Sequence, residues 1–543
     1  MGCVMIQTHR GVVVAGNGAV CASQPLSVGV GLGVLQRGGT AFDAAIAVSA
    51  CQVVTEPYSN HLGGDAFALC YVAKTGEVVA FNGSGAAPAA ATRERFGTNI
   101  PARGLQSATI PGLVDCWFTL HRRLGTVGMR ELLEPALDYA EHGFPAGYRY
   151  ARTFAGLLAQ EQPGHVREAV RTLTGLDATP RPGEVIRQPD LAWSLGEIAA
   201  GGRDAFYAGS IAERLCAFSR ANGGLFTDVD LAQHRTDVRE PISTTYRGFT
   251  VYGQPPVSQG AILLEELNLV EGYDLAQMGW GSPDAQHVMI EAKKLAFADR
   301  HAFLGDPRFV RPVVDELLSK EYASRRRGAI RMEAAAESVP HGELQRDTTY
   351  FCVADREGNA VSFIQSVFHL LGCGVVADGT GILFNNRMTG FSLDPNSPNV
   401  LEPGKRTAHT LNAYLLTREG ELAFVGGTPG GDVQVQSNAQ VICNLIDFGM
   451  NPQEAVEAPR WQHDTEGLKV ERRVPTETLV ALEHPEVFAA QVGELRRLRE
   501  ALIADLAALP GVHPYPSQAN FVLCRFDRPV EAVFKQLVED GIL

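Results

Sequence analysis

The residues in this chain best suited to chemistry are hydroxyls. Asp347-Thr348-Thr349 sets two threonines after an acid, where a weakly patterned stretch gives way to β-forming residues. A threonine hydroxyl attacks a carbonyl only when a neighbouring base takes its proton, and strands often begin with hydroxyl residues, so the triplet alone is a weak signal. His369 and His409 invite a Ser-His arrangement, but neither has a serine in a nucleophile-elbow context and no Gly-x-Ser-x-Gly occurs. The 14 histidines show neither His-Glu-x-x-His nor another metal-ligand spacing, so no metal site is predicted. Ten cysteines run from Cys3 to Cys524 without a Cys-x-x-Cys pair, which fits free thiols in a reducing compartment better than a disulfide framework.

A nucleophile at Thr348 needs a rigid strand behind it, and the pattern supplies one. Tyr350 to Ala354 and Ala360 to Ser366 read as strands joined at Asp355-Arg356-Glu357-Gly358-Asn359. Upstream, Ala334 to Gln345 has few large apolar groups and reads as an exposed linker running into Asp347. Gly11 to Ala22 alternates as a strand, Gly38-Gly39-Thr40 opens a helix over Ala41 to Val54, and residues 66 to 81 form a hairpin around Lys74-Thr75-Gly76. Residues 110 to 330 are mostly amphipathic helices, among them Gly112 to Leu124, Met129 to His142, Leu191 to Ala200 and Ala285 to Phe303, predicted to lie outside the sheets.

Length and charge narrow the class. A chain of 543 residues, 45% hydrophobic and 20% charged, can bury a large core or more than one domain. A net charge of −14 with no long basic run argues against nucleic acid and anionic membrane as partners. No stretch of about 18 apolar residues predicts a membrane span, and Met1 to Ala19 lacks the apolar run of a secretory signal, so a cytoplasmic protein is expected.

Taken together and in order, further blocks give the triplet its meaning. They are Gly38 to Ala45, Glu56-Pro57 with Gly63-Gly64-Asp65-Ala66-Phe67, Ile110-Pro111-Gly112, Phe206-Tyr207, Tyr246-Arg247-Gly248 and Pro255 to Gly260. Glu291 to Arg300, Asp347-Thr348-Thr349, Gly381 to Asn386, Pro403 to Arg406 and Thr428-Pro429-Gly430-Gly431 follow. Over residues 10 to about 480 this order and spacing resembles the gamma-glutamyltransferase family, in particular its acylase-like branch.

The resemblance implies an α+β fold, the αββα sandwich of N-terminal-nucleophile hydrolases with an outer helical region. It also implies a precursor that cuts itself between Asp347 and Thr348 into parts of 347 and 196 residues. The freed α-amino group, with an ordinary pKa of about 8, then serves as base for its own hydroxyl. By the same resemblance Gly430 and Gly431 offer backbone N–H groups as an oxyanion hole, Thr349 is the second threonine, and Ser366 orients the nucleophile through a Thr348 to Ser366 hydrogen bond. Asn386 lines the substrate site. The implied partners are a small-molecule amide and water or an amine acceptor, with the two fragments forming a heterodimer that can itself dimerise; no cofactor is implied.

Substrate positions depart from the family pattern. Where the family carries the arginine that reads an α-carboxylate, this chain has Ser84; where it carries the acid that holds an α-ammonium, Gly390; where it often shows paired serines, His409 and Thr410. The amino-acid clamp is thus mostly gone, and Arg387 is a candidate partner for an acyl group with a distal acid, such as glutaryl.

From about Leu482 the text changes. Leu509-Pro510-Gly511-Val512 followed by Pro516 to Phe521 resembles the C-terminal small domain of histidinol-phosphate aminotransferase, while the Gly-rich strand pair expected to end a gamma-glutamyltransferase is not found. Three parts are therefore expected: 1–347, 348–481 and an aminotransferase-like tail at 482–543, with a helix over Pro485 to Leu509. A self-processed threonine amidohydrolase is the leading function; an unprocessed or impaired chimeric relative is the alternative, and a pyridoxal-phosphate aminotransferase fragment a weaker one.

Overall fold

The computed structural model describes residues 6, 8–311, 313–336, 348–464, 466–483, 497–516, 524–527 and 529–539. Asp347, the linker beyond Ala336 and the first part of the expected tail helix lie outside the described residues. Among the described residues ten strands build the two main sheets: β1 (Gly18–Ala22), β2 (Asp65–Val72), β3 (Glu77–Gly83), β4 (Asp237–Arg239), β5 (Ile242–Tyr246), β6 (Phe249–Gly253), β7 (Thr349–Asp355), β8 (Ala360–Ser366), β9 (Ala413–Arg418) and β10 (Glu421–Gly427). The first sheet runs β1-β7-β8-β2-β3-β4 and the second β10-β9-β6-β5, with every neighbouring pair antiparallel.

Side-chain alternation shows how the layers stack. In β2, Ala66, Ala68 and Cys70 face the helical core on one side, whereas Phe67, Leu69 and Tyr71 pack between the sheets with Ile364, Leu411, Ala413 and Leu415. β9 repeats the logic: Ala413 and Leu415 point inward, while Tyr414 and Leu416 meet α5 (Gly260–Val270), α6 (Pro283–Phe303) and α7 (Val433–Ile446) on the outer face. β8, central and sandwiched, is buried at all seven positions.

Over the first sheet lie α1 (Pro25–Gln36), α2 (Ala41–Thr55), α3 (Leu113–Leu124) and α4 (Met129–His142). All fifteen residues of α2 are buried, and its small Ala44, Ala45 and Ala47 let neighbouring elements approach closely. Thr40 and Asp43 close its N-terminus as a capping box, and Asp43 also accepts the N–H groups of Thr126 and Val127, which sets the turn between α3 and α4. Helices Tyr148–Leu158, Gly164–Thr174, Pro189–Tyr207 and Ser210–Ala221 extend this side as the outer helical region. The whole is the αββα architecture expected of the class.

Two local expectations are corrected. The first strand covers only Gly18–Ala22, because β7 offers partners from Phe351 to Asp355 and none further, which leaves Val12, Val13 and Val14 exposed. Residues 110 to 330 are also not wholly external. β5 and β6 form a hairpin inside the second sheet, turned by Arg247 and Gly248 at φ 49° and 85°, positive at both positions as a two-residue hairpin favours. Helices α5 and α6 then make the fourth layer.

The packed body reaches Leu482. In helix Thr476–Glu483 the buried Thr478 donates to the Gly281 carbonyl and Leu482 packs on the second core. Beyond it, among the described residues, Val512–Pro514 pairs only with Cys524–Phe526, and neither strand joins a main sheet. Among the described residues no helix is long and apolar enough to cross a membrane.

Candidate active site

Antiparallel pairing brings the start of β7, the end of β8 and the start of β2 to one edge of the sandwich, with Gln365 opposite Thr349 and Ser366 opposite Asp65. Thr348 is buried there, and its Oγ1 donates to Ser366 Oγ across a long 3.4 Å. Ser366 Oγ also accepts the Phe368 N–H at 2.7 Å, and Phe368 itself stands at a positive φ of 83°. Thr349 serves a different set of groups: its Oγ1 donates to Glu56 at 2.7 Å and lies 3.1 Å from Ser23 Oγ, which bonds the same carboxylate at 2.6 Å. Thr349 thereby anchors the strand behind the nucleophile candidate.

Asp65 organises the neighbouring polar cluster. Its Oδ1 accepts the Gly85 N–H at 2.9 Å, and its Oδ2 lies 3.2 Å from Arg387 Nε and 3.3 Å from His409 Nε2, with all three side chains buried. Burial alone would raise the Asp65 carboxyl, but the hydrogen bond and charge of His409, the charge of Arg387 and the Gly85 N–H together hold it below the ordinary range. The Arg387 guanidinium also sits 4.0 Å above the Phe368 ring, and His409 meets Phe67 edge to face at 4.8 Å.

A third segment arrives at the end of β10. Gly427 passes so close to the Tyr350 ring that a Cβ there would fall 2.3 Å from a ring carbon, which fixes this strand end over β7. Gly430 and Gly431, at φ 124° and 60°, give their carbonyls to the N–H groups of Val433 and Gln434 at the first turn of α7. They therefore stand at the positive end of a helix. Gln259 ties this loop to the next by donating to the carbonyls of Gly431 (3.1 Å) and Thr410 (2.6 Å), and Arg300 bonds Asp432, the residue after Gly431.

Other predicted residues are placed as follows. The Ser84 hydroxyl and N–H both donate to Asn82, at 2.6 and 2.9 Å, one residue before the glycine that caps Asp65. Asn386 spends its amide on the His369 N–H and the Ala102 carbonyl, whereas Asn385 holds Thr109 and the Arg387 N–H. Gly390 closes the short helical turn Arg387–Gly390. Asp65, Gln259, Glu56 and Ser23 received no role in the sequence reading. Asp65, Glu56 and Gln259 nevertheless sit inside the quoted blocks, and a charged residue among glycines and alanines was the available signal. A hollow among the outer helices, lined by Glu168, Arg171, Gln188 and Gly381, shares no residue with this edge.

Two facing sheets between helical layers, with a buried threonine opening an inner strand, define an N-terminal-nucleophile amidohydrolase. The gamma-glutamyltranspeptidase family model matches residues 27–494, and the chain belongs to that family. It is 40% identical over 481 residues to the glutathione hydrolase-like YwrD proenzyme of Bacillus subtilis (strain 168), covering 85% of this chain and 89% of that protein. It is 38% identical over 500 residues to the Acylase ACY 1 proenzyme of Pseudomonas sp. (strain SE83), covering 88% of each. The solved cephalosporin acylase from Bacillus halodurans superposes with a TM-score of 0.83 at 39% identity, covering 90% of this chain and 91% of its own. The chemistry of the family, a threonine nucleophile released by autocatalytic cleavage and an acyl-enzyme formed on it, is the chemistry of this chain.

Proposed function

We propose that Thr348 is the nucleophile, that the bond cut is Asp347–Thr348, and that the enzyme hydrolyses amides of acyl groups lacking an amino-acid head. The observation that carries the assignment is the buried Thr348 hydroxyl on Ser366 at the edge where Asp65, Arg387 and His409 cluster. In precursor cleavage Thr348 Oγ attacks the Asp347 carbonyl, the amide becomes an ester, and water releases the new amino terminus. That amine takes the proton of the same hydroxyl, which attacks the substrate carbonyl. Backbone N–H groups of Gly430 and Gly431 receive the oxyanion, the amine product leaves, and water or an amine takes the acyl group.

The parts 1–347 and 348–481 stay together after the cut because the first sheet interleaves them: β1 and β2 of one flank β7 and β8 of the other. For the acyl group, Ser84 is committed to Asn82 and Gly390 offers no acid, so neither position can clamp an α-carboxylate or α-ammonium. A distal carboxylate would meet Arg387, a cation it would share with Asp65.

A denaturing gel with a paired activity assay tests the proposal. Wild type should give two fragments and turn over a glutaryl anilide faster than a γ-glutamyl anilide, whereas Thr348→Ala should give one band and no turnover. Two fragments from Thr348→Ala would remove the nucleophile assignment, and a γ-glutamyl preference would remove the acyl-group assignment.

A further inference from the structure

β1 and β7 set two thiols face to face. Cys21 and Cys352 are directly opposed in antiparallel register, Cys21 exposed on the edge strand and Cys352 half-buried. Directly opposed residues of an antiparallel pair have Cα atoms about 4.5 to 5.5 Å apart, inside the range of about 4.4 to 6.8 Å that a disulfide spans. The remaining described cysteines differ: six are buried, and burial pushes Cys51 and Cys373 up to about 12, which leaves them inert. The hydrogen bond that Cys21 and Cys352 share instead draws Cys21 down, with Arg10 adding favourable charge against the cost of burial, and pushes its partner Cys352 up.

We propose that Cys21 and Cys352 are a modification site: a low-molecular-weight disulfide oxidises them to a reversible cross-strand bond. The bond rests on the register alone, but its consequence rests on the proposed cut at Asp347–Thr348. Cys21 lies before that cut and Cys352 after it, so in the mature enzyme the bond joins the two fragments covalently. It also staples the strand leading to Ser23, which holds Glu56 and Thr349, to the strand that begins beside Thr348.

The exchange balances in two steps. Cys21 thiolate attacks one sulfur of the small disulfide, forming a mixed disulfide and expelling one small thiolate. Cys352 then loses its proton and attacks the Cys21 sulfur, forming the protein disulfide and expelling the second. Two protein thiols are oxidised, one small disulfide is reduced to two thiols, and the protein protons pass to those products.

The test treats the purified full chain with glutathione disulfide, quenches in acid, alkylates free thiols and compares denaturing gels with and without dithiothreitol. Peptide mass mapping follows. The expected result is one species near 58 kDa that dithiothreitol resolves into two fragments, with a mapped Cys21–Cys352 peptide, and loss of both in Cys21→Ser and in Cys352→Ser. Two fragments without dithiothreitol and no such peptide overturn the proposal, as does a cross-link surviving in either variant or a stable glutathione adduct stranded on Cys21. If the chain is uncut, one band appears under all conditions. The mapped peptide then still decides for or against the bond, and the failure belongs to the cleavage reading.

Discussion

Replacing Asp65 by asparagine removes one charge from a fully buried site while changing its shape very little. The carboxylate accepts from Gly85 on one oxygen and faces Arg387 and His409 with the other. An amide keeps one acceptor, so whichever way it turns, its NH2 confronts a donor, either the Gly85 N–H or the Arg387 and His409 side. It also removes the carboxylate charge that faces Arg387 and His409 inside a buried cluster. Removing one partner of a buried ion pair costs about 3–5 kcal/mol, and that is the loss expected for Asp65→Asn. Urea unfolding should be measured on the Thr348→Ala background, where the chain stays in one piece and fragment dissociation does not complicate the transition. Arg387→Met should cost a similar amount. The double variant should cost less than the sum of the two by at least about 1.5 kcal/mol, because the two charges that face each other are then removed together. A shift under about 0.5 kcal/mol for Asp65→Asn, or strict additivity in the double variant, would show that the cluster is not a coupled ion pair.

Two shorter predictions follow. Arg300→Met removes the bond that steadies Asp432 next to the glycine pair, so kcat should fall about 10- to 100-fold with little change in KM, and Arg300→Lys should recover part of it; a change confined to KM would assign Arg300 elsewhere. His61 is held down to about 3 by burial, its Nδ1 accepting the Leu383 N–H. Below about 6.5 the unfolded chain therefore takes up a proton that the folded chain declines, and stability should fall with pH down to about 3, by up to about 1.4 kcal/mol per pH unit from this group. An unchanged pH slope in His61→Gln would argue against this source.

Elements whose pattern is local were legible in the sequence. The hairpin of β2 and β3, the helix after Thr40 and the strands β7 and β8 lie within a residue or two of their expected limits, because turn residues and caps mark their ends. What a strand pairs with is not local. The stretch before Gly18 alternates as convincingly as the strand after it, yet only five residues find partners, and those partners lie more than 300 positions away in β7. The hairpin of β5 and β6 was missed for a related reason: it is a short pair inside a run dominated by helices, and only Arg247 and Gly248 announce it.

The same limit governs the site. Thr348 and Ser366 are 18 residues apart on adjoining strands, so once β7 and β8 are recognised their meeting follows from the antiparallel turn between them. Asp65 is different, since its partners come from three segments: Gly85 is 20 residues away, Arg387 322 and His409 344. No periodicity relates such positions. Arg387 read on its own offers a free cation for a substrate carboxylate, whereas beside Asp65 it is half of a buried pair, and an incoming carboxylate must compete with one already there. In the proposed reading, the acyl group accepted at this edge would be set less by Arg387 than by how far Asp65 and His409 release it.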